Sequence, residues 1–142
     1  MAARDDDAPY TVALNIDAPP SPDYVLELAA SIAEAVRVLN HQTRHHEALE
    51  FPSEADRIIR EISSAASRLP QLLQQVSRWL NDEYADGRIR MTGGEFPQSV
   101  LAVMAVEARL EKAAEHAGAL AEALTSAASV TSNMAQEGGT DD

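Results

Sequence analysis

From Ala55 to Leu80 the apolar side chains recur at alternating intervals of four and three: Ala55, Ile59, Ile62, Ala66, Leu69, Leu73, Val76 and Leu80. A strand cannot gather such a series, because its side chains change face at every residue. A helix of 3.6 residues per turn brings all of them to one side, as in a coiled coil. A second column, Ile58, Ala65, Leu72 and Trp79, repeats every seventh residue beside the first. Together they make a face wide enough to touch two neighbouring helices. This segment therefore needs partners, and the rest of the chain is read for them.

Two further segments carry the same spacing. Before the first, Ser21 is a suitable cap, Pro22 fits the first helical position, and Asp23 lies near the positive end of the helix dipole. Val25, Leu28, Ile32, Ala35 and Leu39 follow at three-four spacing, and the phase then reaches Gln42, His46 and Leu49. Pro52 closes that helix near Glu50, since the residue before proline avoids helical geometry. The other begins at Pro97 and runs through Val103, Val106, Leu110, Ala113, Ala117, Leu120, Leu124 and Ala127. Its alanines allow close approach of another helix axis. Gly118 weakens it by roughly 1 kcal/mol relative to alanine and marks a point where another backbone comes near.

The spacing predicts an all-α fold: an antiparallel, up-down-up bundle of three long helices, at about 22–50, 54–86 and 97–132. Ser53, with Asp56 three residues on, is the expected cap of the second helix, and Gly87 its left-handed terminator. Pro70 interrupts this helix at a cost of about 3 kcal/mol. The apolar phase does not slip across it, so a kink is expected rather than a break into two helices. A thin rod of this kind has much surface for its volume, and a homodimer is expected.

Residues 1–20, with Asp5, Asp6, Asp7, Pro9, Pro19 and Pro20, read as a flexible arm, and residues 134–142 as a disordered tail. Thr11 to Ile16 is the apolar exception in the arm. It is suited to lie along the bundle or to add to a partner's sheet edge, which makes Val12, Leu14 and Ile16 candidate interaction residues. Residues 87–96 read as a loop with Gly93 and Gly94 at its turns. Ile89 and Met91 alternate with Arg88, Arg90 and Thr92 as a short strand would, its only evident partner being residues 11–16.

Net charge bears on the partners. Acidic residues number 23 against 11 basic ones, a balance of −12. Such a surface repels phosphate and anionic lipid, and Arg88 with Arg90, or Arg57 with Arg60, do not outweigh it. No apolar run reaches the roughly 20 residues of a bilayer span, and the acidic start does not resemble a secretory leader. There is no cysteine, which excludes thiolate and disulfide chemistry and suits a reducing cytoplasm.

Chemistry-bearing patterns are sparse. His41 and His45 stand four apart, the helical spacing at which two imidazoles can meet one zinc ion, and His46 follows. The glutamate of a zinc hydrolase is missing, Gln42 standing beside His41. Glu50 or His116 would have to supply a further ligand. No metal or other cofactor is assigned; His41 and His45 are the candidates if one binds. Trp79 and Tyr84 suit an interface anchor, or alternatively a plug at the end of the core, since Trp79 continues an apolar column. The acidic residues are spread as on a wetted face, with nothing to shift their protonation. Ser63, Ser64, Ser67 and Ser77 lack a nucleophile elbow. Gly93-Gly94 is followed by Glu95, which would repel a phosphate.

The stretch from His46 through Phe51-Pro-Ser-Glu-Ala-Asp to Arg68-Leu-Pro-Gln-Leu resembles uncharacterised small helical proteins of actinomycetes, over roughly residues 30–130. The resemblance implies a bacterial, cytoplasmic setting and carries no activity, cofactor or site. The expectation is thus a non-enzymatic helical module that binds itself or another protein. Two alternatives stand beside it: a small-ligand or metal-binding bundle using His41 and His45, and a protein-contact accessory to a DNA-binding regulator or mobile element.

Overall fold

A computed structural model describes residues 11–90, 92 and 96–134. It is all-helical: α1 spans Pro22–Gln42, α2 Pro52–Ala85 and α3 Phe96–Thr131, with a 3-10 turn at His46–Ala48. No strand occurs among the described residues, neither at Ile89 nor at residues 11–16. Residues 1–10, Met91, Gly93 to Glu95 and, of the expected tail at 134–142, residues 135–142 lie outside the described residues. The chain divides into two compact units, Met1–Glu50 and Phe51–Asp142.

In the first unit, Ser21 caps α1 as its sequence suggests, its Oγ accepting the Tyr24 N–H at 3.2 Å. The helix is shorter than the expected 22–50. It stops at Gln42, where the apolar phase runs into polar residues and further turns would bury nothing. Thr43 closes it: its Oγ1 and its N–H both donate to the Leu39 carbonyl, at 2.8 and 2.9 Å. That satisfies one of the carbonyls a helix end leaves open. No residue of α1 is buried.

In the second unit, α2 runs without a break through Pro70. Its cap is Phe51 rather than Ser53, with Pro52 at the first helical position, where proline loses nothing. Phe51 has no side-chain acceptor. The end is instead held by Glu54 Oε2, which accepts the Phe51 N–H at 3.1 Å, half of a capping box. Asp56 is thereby free for a different task. At the far end Gly87 takes φ +71° as expected. Its N–H reaches the Tyr84 carbonyl at 2.9 Å and that of Arg88 the Glu83 carbonyl at 2.9 Å, a Schellman motif. Arg88 also grips Glu83 through both nitrogens, at 2.6 and 2.7 Å, and Asp86 at 2.8 Å. The Arg88 guanidinium holds the Glu83 carboxyl below its usual range.

Helices α2 and α3 pack together. Asp56 meets Thr131, Arg60 reaches the Ala128 carbonyl, and Ser63 meets Ala121 and Thr125. Partners descend along α3 as they ascend along α2, so the two rods run antiparallel. Among the described residues, what is buried is small: Ala66, Ala117, Ala121, Ala128 and Ser99. Alanine allows a short interaxial distance, near the lower end of the usual 8–10 Å, and lets Ser63 Oγ donate to the Ala121 carbonyl across the seam at 2.9 Å. Asp56 accepts from Thr131 Oγ1 at 2.6 Å and from Arg60 at 2.8 Å. The Arg60 and Thr131 hydrogen bonds lower its pKa.

Two outcomes follow from this seam. Gly118 does not sit against another backbone: a Cβ built there meets nothing within 4 Å. Gly118→Ala should therefore raise stability by about 0.5–1 kcal/mol through helix propensity, read from urea unfolding. The lowered pKa of Asp56 means that its stabilisation is present above its ordinary value of 3.8 and lost as pH falls through the folded value. Thermal melts between about pH 5 and pH 2 should show wild type losing more stability on acidification than Asp56→Asn. Parallel curves would exclude the linkage.

Candidate interaction surface

The α2 helix uses only part of its apolar face on α3. Ser63 and Ala66 turn to the seam, and so, a whole number of turns on, do Leu73 and Ser77, which share a cleft with α3 residues. Ile62, Leu72, Val76 and Trp79 lie about 100° round the helix from that line at the usual advance per residue. All four are exposed, Trp79 to 58 %. The half-buried Leu69 and the small Ala65 complete the column.

A matching column runs along α3. Val106, Ala113, Leu120 and Ala127 repeat every seventh residue, flanking the seam residues Leu110, Ala117 and Leu124, and they are exposed. Both columns precede their seam in the sense of helical rotation. Because the helices are antiparallel, the two columns turn to the same side of the hairpin. The opposite side is polar. There a cleft of about 610 Å³ lies between Gln74, Ser77, Arg78 and Asn81 of α2 and Glu107, Glu111 and Glu115 of α3. Lys112 pairs with Glu115 at 2.9 Å, which lowers the Glu115 pKa.

The hairpin thus carries an apolar flank on one side of the seam and a mainly charged one on the other, where Met104, one heptad before Glu111, is also exposed. The expected broad face of α2 is real, but only its seam-facing half is covered by α3. Trp79 does not plug the core; it stands at one end of the exposed column. Tyr84, one and a half turns on, is half-buried, and so belongs less to the exposed surface than the sequence suggests.

The first unit also carries exposed apolar side chains, among them Val25, Leu26, Ile32, Val36, Val38 and Leu39 of α1. In the arm, Leu14 is 81 % and Ile16 100 % exposed, while Val12 is half-buried. The arm is fastened through a residue the sequence reading passed over. Tyr24 Oη donates to the Ala13 carbonyl at 2.6 Å and accepts the Asn15 N–H at 3.0 Å. Asn15 then turns the chain, its Oδ1 taking the Asp17 N–H at 3.0 Å. The available signal was a phenol one turn inside a capped helix, next to a β-branched stretch with open backbone groups.

His41 and His45 come together, their rings meeting edge to face with centroids 5.6 Å apart. His45 lies beyond the end of α1, so helical spacing alone does not bring this about. His46 and His116 are exposed. No cluster of three or more metal-ligating side chains occurs among the described residues. None of the described helices is long and apolar enough to cross a membrane. Comparison with protein-family models, with curated proteins and with solved structures finds no match.

The Tyr24 clasp makes its own prediction. Tyr24→Phe removes both hydrogen bonds without changing shape. Amide exchange at Asn15 should then quicken by about fivefold, the equivalent of roughly 1 kcal/mol for a hydrogen bond, while amides in the middle of α1 keep their rates.

Proposed function

We propose that this chain is a non-enzymatic, self-associating helical interaction module, in which the apolar side of the α2–α3 hairpin pairs with the same side of a second copy. The observation that carries the reading is the exposed column of Ile62, Leu72, Val76 and Trp79 beside the matching column of α3. A monomer seldom leaves so continuous an apolar patch in water. Burying each such side chain contributes about 1.5–3 kcal/mol.

Size and symmetry favour a second copy as the occupant. From Ile62 to Leu80 and its α3 counterpart the face is about 30 Å long at 1.5 Å per residue. Two helices side by side make it about 20 Å wide. That is near the roughly 800 Å² each partner contributes to a standard interface. Two such hairpins laid apolar face to apolar face close into a four-helix bundle by a two-fold axis. The charge of −12 per copy opposes this pairing and is screened by salt. On the same reading α2 bends at Pro70, whose ring removes one helical hydrogen bond, and the face curves along its partner. The acidic balance disfavours nucleic acid and anionic membranes as direct ligands, and a bacterial cytoplasmic setting goes with the resemblance noted above.

Sedimentation velocity tests the proposal on the full chain, with Trp79 fluorescence as a second reading. Wild type should be dimeric at tens of micromolar by typical affinity arithmetic, more so at high salt, with Trp79 shielded from iodide. Val76→Glu/Trp79→Glu should be monomeric with unchanged circular dichroism, whereas Gln74→Ala on the polar side should remain dimeric. A wild-type monomer with Trp79 open to iodide would refute the module. A wild-type monomer with Trp79 shielded would assign the face to α1 of the same chain, as in an up-down-up bundle, and overturn the dimer.

A further inference from the structure

The end of α1 holds a pair of imidazoles whose placement goes beyond a helical accident. His41 is in the last turn of the helix and His45 is past its end. A hydrogen-bonded chain fixes the backbone between and after them. Thr43 closes on Leu39, Arg44 N–H reaches the His41 carbonyl at 3.4 Å, His45 N–H the Gln42 carbonyl at 3.1 Å, and Ala48 N–H the His45 carbonyl at 3.0 Å. The two rings lie edge to face at 5.6 Å, inclined at 70°.

A metal ion held by two imidazoles demands nearly this separation. With metal–nitrogen bonds of about 2.0–2.1 Å each ring centre stands about 3.2 Å from the ion, and a tetrahedral angle puts the two centres about 5.2 Å apart. Both side chains are exposed, so each ring has room to turn until one of its nitrogens points at the ion. The turn has already fixed the backbones, which leaves little entropy to lose on binding.

We propose that His41 and His45 form an open, two-imidazole clip for a borderline divalent transition metal such as zinc or nickel. The remaining coordination positions are filled by water. Imidazole nitrogen suits these ions, whereas calcium and magnesium want oxygen ligands. The open positions distinguish the clip from a closed structural zinc site, which uses four protein ligands. It rests on the first unit alone and is independent of the pairing of hairpins.

The probe is the metal alone, added to the full chain in a buffer that does not chelate. Calorimetric titration with Zn²⁺ and, separately, Ni²⁺ should show one site per chain. His41→Ala and His45→Ala should each weaken binding at least tenfold, the loss of one arm of a chelate, while His116→Ala leaves it unchanged. On wild type, substoichiometric Ni²⁺ should broaden the ring proton resonances of His41 and His45 together and spare His116, a reading that needs no variant to fold. Equal affinity of wild type and the His41→Ala/His45→Ala double variant overturns the proposal. So does Ni²⁺ broadening that spares either ring, or the absence of a saturable site.

Discussion

The close approach of α2 and α3 over alanine is the constraint on which the rest depends. Among the described residues the buried apolar ones are Ala66, Ala117, Ala121 and Ala128, and each has only a methyl group to contribute. A seam this narrow brings backbones near enough for a serine of one helix to donate to a carbonyl of the other. The leucines of the seam, Leu73, Leu110 and Leu124, are only half-buried. Ile62, Leu72, Val76, Trp79 and Leu120 are displaced round the helices, and much of the apolar surface expected in a core is found on one flank of the hairpin. The amphipathic character of the unit follows from the smallness of its centre.

Much of the architecture is legible from spacing and end signals. Three helices, the cap at Ser21, the glycine terminator at Gly87 and the bounds of α3 to within a residue all follow from local rules that need no knowledge of neighbours. Failures came where a local rule met a competitor. Ser53 is a good cap in isolation, but Pro52 is better placed as the first helical residue, so the helix starts earlier and Phe51 takes the cap position. The phase of α1 can be extended to Leu49 on paper. Gln42 and His46 offer nothing to bury, and a threonine that satisfies the Leu39 carbonyl ends the helix first.

The surface was legible only in part, for a physical reason. Periodicity reports that a face is apolar; it does not report how that face is divided among neighbours. The stripe of α2 through Ile59, Ile62, Ala66 and Leu69 straddles the real seam, which runs through Ser63 and Ala66 and includes hydroxyls that a hydrophobicity count ignores. Trp79 therefore reads as core in sequence and lies in the open in the fold. The Tyr24 clasp and the meeting of His41 with His45 depend on the path of non-helical backbone, which no repeat encodes.

The hydroxyl and carboxyl contacts across the seam have a mechanical consequence. Two smooth rods lined with small side chains can slide past each other by a turn with little change in contact. Here the contacts of Asp56 with Thr131, Arg60 with Ala128 and Ser63 with Ala121 sit at the end remote from the connecting loop. The loop ties one end covalently and these polar latches set the alignment at the other. Sliding would have to break all of them at once, so the hairpin is locked in position by its least greasy residues while its alanines supply only the closeness.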